Sequence, residues 1–344
     1  MIKRLLTLLW VQLAFSCTTF AANYLTFTAE EDSAAFSIED HDIKSNIFYS
    51  LDNGKTWKQL TEQPVSLAKG DRALLKGGKL DEEPTWSNYS SFKMAGSIAA
   101  SGSVMSLVDG DGESKTIPYD YCFRSLFEDC SSLTKAPELP ATTLADGCYF
   151  GMFSACTSLI QAPELPATTL AEYCYAGMFR ECTSLTQAPV LPAKTLAAGC
   201  YSFMFYKCTN LTKAPQLPAT TLADFCYTGM FSGCRKLTKA PKLPASTLAE
   251  GCYKWMFSKC TNLTQAPELP ATTLAEECYN NMFSGCKKLS RIKVAITDWG
   301  TDTDSWVKDV AKNGTFICPK NLPTKYGEDF IPEGWKIENE DFNK

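Results

Sequence analysis

The sequence predicts a right-handed α/β solenoid, a parallel sheet on one side and short convex helices on the other, preceded by a small all-β N-terminal domain. Three observations lead there. Cysteines recur at one constant spacing, at 122, 148, 174, 200, 226, 252 and 278 and again at 130, 156, 182, 208, 234, 260 and 286. A fixed period of that length marks units that bury their apolar faces only by stacking on their neighbours. Each unit carries one segment of strand character and one of helix character, whereas residues 23–105 hold β-forming runs with no repeat.

Composition narrows the functions. The chain has 344 residues, a formal net charge of −5 and a single histidine, His41. An acidic balance argues against nucleic acid as a partner, because phosphate binding needs a basic surface. One histidine removes Ser/His/Asp and Cys/His catalysis from the repeats, together with zinc sites that need His ligands. His41 itself sits in the polar run "IEDHDIKSN" and reads as a solvated loop residue.

The elements follow in chain order. Residues 1–21 read as a signal peptide: Lys3 and Arg4 precede an apolar run from Leu5 to Phe15, too short to cross a bilayer. Cleavage after Ala21 or Ala22 is one outcome, and lipidation at Cys17, after "LAFS", is the other. Residues 22–110 form the small antiparallel β domain, with "YLTFTAE", "AAFSIE", "NIFYSL" and "RALLKG" as strands. Within it "SLDNGKTW", Ser50 to Trp57, fits the Asp-box pattern SxDxGxTW that sialidases carry on hairpin turns. The plainer reading is a tight Asp52-Asn53-Gly54 turn with Trp57 packed beneath it.

Residues 111–296 form the solenoid of about seven coils, one cysteine period each, with consensus CYxxMFxxCxxLTxAPxLPAxTLAxx. "LTQAPEL", Leu263 to Leu269, suits a short strand; Pro267 lacks a ladder donor, so three or four paired residues per coil are expected. Thr273 with Glu276, Thr169 with Glu172 and Thr247 with Glu250 fit capping boxes, Asp146 and Asp224 hold the same place after Thr143 and Thr221, and Leu274, Cys278 and Met282 recur at i, i+4 and i+8, so a helix is expected from Leu274. One strand and one helix in a unit of this length make a leucine-rich-repeat coil, and the last unit, "LSRIKVAI", matches the LxxLxL strand of that class. Residues 297–344 form a C-terminal cap, with a helix around Trp306 and Val310, a strand through Phe316 and Ile317, and Trp335 as anchor.

The cysteines read as small buried hydrophobes stacked in columns. The two within a unit are eight residues apart, about 12 Å along a helix, too far for a disulfide. That spacing also differs from a zinc knuckle, and no metal or cofactor is expected.

The "MFxxCxxL" block, the Leu-Pro after each strand and the exported N-terminus resemble the BspA-like surface leucine-rich repeats of Bacteroides-type bacteria, relatives of the Treponema-type repeat. The unit here is three residues longer than the Treponema type, and its strands carry Ala-Pro where that type has a branched apolar residue. The resemblance implies a cell-surface or secreted, adhesin-like binding protein, since adhesion to host extracellular proteins is known in the family.

The variable positions are the candidate binding surface. Arg235, Lys236, Lys239, Lys242, Lys254, Lys259, Lys287, Lys288, Arg291 and Lys293 crowd the last coils, the candidate patch being Arg235, Lys236, Lys239, Lys242, Lys287, Lys288 and Arg291, while acidic residues crowd the N-terminal domain. Arg235-Lys236 and Lys287-Lys288 hold equivalent slots two coils apart, about 10 Å on a sheet. The plain reading is a solvated polar face. The sharper one is a basic patch for a host extracellular protein or an acidic glycan, on a monomer that meets a membrane only through a lipid on Cys17. The chain is thus expected to be an exported, non-catalytic binding protein; the alternatives are an exported carbohydrate-active, sialidase-like enzyme and a structural envelope protein. Thiol titration in denaturant without reductant is expected to find the repeat cysteines free; a count far below the 16 cysteines of the sequence would contradict this.

Overall fold

A computed structural model describes residues 22–78 and 83–341. The leader and Cys17 lie outside the described residues. The N-terminal strands are β1 (Leu25–Ala29), β2 (Ala34–His41), β3 (Ile47–Ser50), β4 (Lys58–Gln59), β5 (Val65–Leu67), β6 (Arg72–Gly77), β7 (Tyr89–Ala95) and β8 (Ile98–Ser101). A four-residue helix, α1 (Ser106–Asp109), follows, then β9 (Leu133–Lys135), β10 (Gln265–Leu269), β11 (Arg291–Val294), β12 (Thr315–Cys318) and β13 (Lys336–Asn339). The sheets run β4-β3-β6-β1-β8-β9, β5-β2-β7 and β10-β11-β12-β13.

The α/β assignment is corrected. The chain is nearly all-β, a β-solenoid with parallel strands, and α1 is the one α-helix among the described residues. No helix begins at Leu274, and no convex helices of leucine-rich-repeat type occur among the described residues. A ribbon of overlapping turns occupies that place. In the first coil the amides of Tyr121, Phe123, Ser125, Phe127 and Asp129 donate to carbonyls of the next coil, at Asp146, Cys148, Phe150, Met152 and Ser154. The alternate amides of Arg124, Leu126, Glu128 and Cys130 donate locally, three residues back. Successive backbone groups therefore serve the turn and the neighbouring coil by turns, which meets the requirement that buried polar groups be paired.

That alternation needs a left-handed residue every fourth position. Tyr121, Ser125 and Asp129 have φ of 52° to 61°, and so do Gly147, Gly151 and Ala155 one coil later, at 57° to 59°. A left-handed residue cannot continue an α-helix. The capping boxes fail likewise: the carboxylate of Asp146 accepts from the Glu172 amide at 2.9 Å, and that of Asp224 from the Glu250 amide at 3.2 Å, both one coil onward. The segment around Trp306 is also turns rather than helix.

Inside, the repeated residues form columns. Phe127, Phe153, Phe179, Phe205, Phe231, Phe257 and Phe283 stack with centroids 5.4 to 5.8 Å apart. Tyr149 to Tyr279 form a second stack at 5.8 to 6.2 Å. Offset stacking suits such rings, and burying each contributes about 1.5–3 kcal/mol. The second cysteine series adds rungs: Cys156, Cys182, Cys208, Cys234, Cys260 and Cys286 donate S–H to a phenylalanine carbonyl of the preceding coil at 3.0 to 3.1 Å. The fourteen cysteines of the two series are free thiols.

On the strand side the prolines thin the sheet further than expected. Between the middle coils the pairing is reduced to isolated bridges, Gln187 to Lys213 and Thr195 to Thr221. A ladder returns between β10 and β11, with its register shifting between Gln265 and Glu268, around Pro267.

Both ends are closed. In the N-terminal domain, β8 pairs in parallel with β9 of the first coil. Phe92 of β7 stands in for a preceding coil: its ring lies 5.1 Å from Phe127, its amide donates to Leu126, and its carbonyl accepts the Cys130 thiol at 3.2 Å. At the far end Trp306 lies 6.1 Å from both Tyr279 and Phe283, ending both columns. Trp335 is buried and its indole donates to Ala311.

Some outward left-handed positions alternate large and small. Tyr173 lies over Gly199, where an added Cβ would fall 2.2 Å from the ring. Gly177, with φ +61°, meets only a Cα at 4.0 Å. Gly177→Ala is therefore expected to cost about 1–2 kcal/mol from backbone strain alone, and Gly199→Ala measurably more, as read by urea unfolding. Equal costs would contradict the ring-over-glycine packing.

Burial raises the pKa of all fourteen repeat thiols, Cys182 and Cys286 to about 12. Above the unfolded thiol value of about 8.5, the unfolded chain loses protons that the folded chain keeps. Stability is thus intact below that pH and falls as pH rises, by up to about 1.4 kcal/mol per unit for each thiol. Urea midpoints should drop steeply from about pH 8.5 to about pH 10.5; a flat profile would contradict this.

Candidate binding site

The turn ribbon sets which side chains face solvent. Its second left-handed slot carries Ser125, Gly151, Gly177, Phe203, Gly229, Trp255 and Asn281, and its third carries Asp129, Ala155, Glu181, Lys207, Gly233, Lys259 and Gly285. The coil of Gly229 and Gly233 alone has glycine in both. At Gly233 the surface sinks between its neighbours into a groove of about 610 Å³.

The walls come from the adjacent coils. Phe203 lies over Gly229, where an added Cβ would meet its ring at 2.4 Å, and Trp255 approaches Phe203 from the other side at 6.3 Å. Lys207 packs beside Gly233, at 3.1 Å from an added Cβ. Tyr206, Arg180, Arg235 and Lys259 complete the aromatic and cationic lining, and Thr209, Ser232 and Ser258 supply hydroxyls. Trp255 is 38% exposed, high for an indole.

Of the four cations that line the groove, Arg235 and Lys259 form no ion pair among the described residues, while Arg180 and Lys207 share one carboxylate. Arg180 and Lys207 sit 5.2 and 4.9 Å from the Tyr206 ring centre. Glu181 pairs with Lys207 at 2.9 Å and with Arg180 at 3.7 Å. The Lys207 hydrogen bond holds the Glu181 carboxyl below its ordinary pKa. No carboxylate lines the groove among the described residues.

Of the seven residues of the candidate basic patch, Arg235 alone lines this groove, joined by Lys259 from the wider set of basic residues in the last coils. Lys236, Lys239, Lys242, Lys287, Lys288 and Arg291 are exposed outside it, with Arg291 in β11. Lys288 donates to the Asn262 side chain at 2.7 Å, and Asn262 donates to the Arg235 carbonyl at 2.8 Å, linking three coils. Phe203, Tyr206 and Trp255 are site residues that the sequence reading does not single out. Their signal is a glycine pair, Gly229 and Gly233, with large residues one period away on either side.

The Asp-box stretch is the turn between β3 and β4. Asp52 accepts from the amide and hydroxyl of Thr56 at 2.9 and 2.6 Å and from the Ser50 hydroxyl at 2.7 Å. Those bonds hold its pKa well below the carboxylate range. Trp57 donates to the Gly54 carbonyl at 3.1 Å, with Lys76 over its ring at 4.3 Å. All these contacts tie the turn to itself or its own domain.

A second, apolar groove of about 1040 Å³ lies on the strand side, where exposed Ile160 and Val190 replace polar residues of other coils. No described helix is long and apolar enough to cross a membrane. Comparison of the chain with protein-family models, with curated proteins and with solved structures yields no match.

Proposed function

We propose that this chain is an exported, non-catalytic binding scaffold, displayed at a cell surface or secreted, that holds an acidic partner on the outer face of its later coils. The observation that carries the reading is a division of labour within each coil. The repeated Cys, Tyr, Met, Phe and Leu residues are spent largely on the interior, and the charged variation falls on exposed slots. In the later coils those slots hold cations without acidic partners. Arg235, Lys236, Lys239, Lys242, Lys287 and Arg291 form no ion pair among the described residues, whereas Lys254 and Lys293 nearby are paired. Unpaired surface cations raise the local concentration of an acidic ligand and speed its capture.

The export expectation and the resemblance of the "MFxxCxxL" block to BspA-like surface proteins support the same reading. Host extracellular protein and mucin are the partners to test. Chain beginning at residue 22, immobilised and exposed to extracellular matrix proteins and mucin, should bind them in a salt-sensitive manner, as expected for contacts screened beyond about 8 Å at physiological ionic strength. Reversing Arg235, Lys236, Lys287 and Lys288 to Glu should lower that binding at least about tenfold. Binding unchanged by both salt and reversal would overturn the proposal.

A further inference from the structure

The groove over Gly233 has a composition that the rest of the basic face lacks. Its floor includes the bare backbone of Gly233, while the Phe203 ring covers Gly229 of the same coil. Phe203 and Trp255, two coils apart in the same slot, bring their ring centres to 6.3 Å beside that floor. Around them stand four cations, Arg180, Lys207, Arg235 and Lys259, and three hydroxyl side chains.

Each ingredient selects chemistry. Trp255 and Phe203 are partly exposed, with the Glu277-paired Lys254 ammonium 4.9 Å from the indole ring centre, and such aromatic side chains favour a ligand with its own apolar, polarised C–H faces. Arginine and lysine beside them favour carboxylate or sulfate, arginine in a bidentate manner. Serine and threonine hydroxyls both donate to and accept from ligand hydroxyls. A sugar ring bearing an acidic group presents all three features within one residue. An acidic peptide offers carboxylates but no rigid face for the aromatic shelf. A nucleic acid stacks on aromatics, but it needs a continuous basic track for its phosphates, and the chain is net acidic at −5. The volume, about 610 Å³, falls within the range of small-ligand sites.

We infer that this groove is a subsite for an acidic glycan, which stacks a sugar ring on Trp255 and Phe203 and sets its carboxylate or sulfate between Arg235 and Lys259. This rests on the binding-scaffold reading and names the ligand class and the place. Sugar-face contact needs the indole, charge pairing needs Arg235 and Lys259, and neither draws on Lys236 or Lys287 outside the groove.

The test uses the chain from residue 22 with five probes: dextran sulfate, hyaluronan, neutral dextran, polyglutamate and a single-stranded oligothymidylate. Binding is read by calorimetry and by tryptophan fluorescence. Dextran sulfate or hyaluronan should bind and change the fluorescence, which tells sulfate from carboxylate recognition, while neutral dextran should not bind. Trp255→Ala should weaken binding about tenfold or more, Trp255→Phe should restore most of it, and the pair Arg235→Ala with Lys259→Ala should weaken it at least as much. Thermal melting and circular dichroism confirm that each variant is folded; should Trp255→Ala unfold, Thr209→Glu, which adds a carboxylate to the groove lining and should repel an acidic ligand, takes its place. Glycan binding lost on reversal of Lys236 and Lys287 but indifferent to the groove variants overturns the subsite and leaves the scaffold reading standing. Preference for polyglutamate or oligothymidylate overturns the glycan class. Absence of binding to every acidic probe overturns the subsite, and with no matrix or mucin binding it overturns the scaffold reading too.

Discussion

The hydrogen bond between successive coils, made by every second amide of the turn ribbon, is the constraint on which the rest of this molecule depends. Because the donating amides of Tyr121, Phe123 and Ser125 aim along the solenoid axis, the amides between them must be satisfied within the turn. Closing those turns forces a left-handed residue at every fourth position. The glycines, the outward placement of Phe203 and Trp255 and the inward columns of Phe, Tyr and Cys all follow from that geometry. The thiol rungs are an addition to it: the Phe127 carbonyl already accepts from the Cys130 amide, and the Cys156 thiol takes its second lone pair. Cysteine is small enough for the column and carries a donor that alanine lacks.

A stacked ladder leaves its last rungs open, and the two ends solve this differently. At the start, a β-sandwich supplies Phe92, whose ring, amide and carbonyl each make the contact that a preceding coil would make. At the end, Trp306 covers two columns with one indole, and β12 and β13 extend the parallel sheet past the last repeat. The final strand, Lys336–Asn339, is short, largely exposed and charged, a composition that discourages pairing with another chain's edge.

Much of this is legible in the sequence. The constant cysteine period, the inward residues, the short and broken strands at Ala-Pro and the β character of residues 25–101 all correspond to what is seen. The helical expectation fails for a definite reason. Cys278 and Met282 are four apart, which resembles a helical stripe, yet four residues overshoot a helical turn by about 40°, so a strict step of four sustained to Cys286 points to a four-residue turn. Gly229 with Gly233, and Gly147 with Gly151, are the contrary evidence, since two glycines four apart weaken a helix and suit left-handed slots. The capping boxes mislead because a carboxylate after threonine meets any exposed amide, and here that amide belongs to the next coil. The groove is harder to see. It arises from side chains that are missing on one coil, and the basic residues draw attention to net charge rather than to shape.

The alternation of rings and glycines gives the array a grain. Down the first left-handed slot the order is Tyr121, Gly147, Tyr173, Gly199, Phe225, Gly251, so each ring has a bare backbone to lie on. Inserting or deleting one coil there would put ring against ring or leave a glycine uncovered, whereas adding or removing two restores the match. The natural quantum of growth for that stretch is therefore a pair of coils, and lineages of this protein that differ in length should differ there by whole pairs.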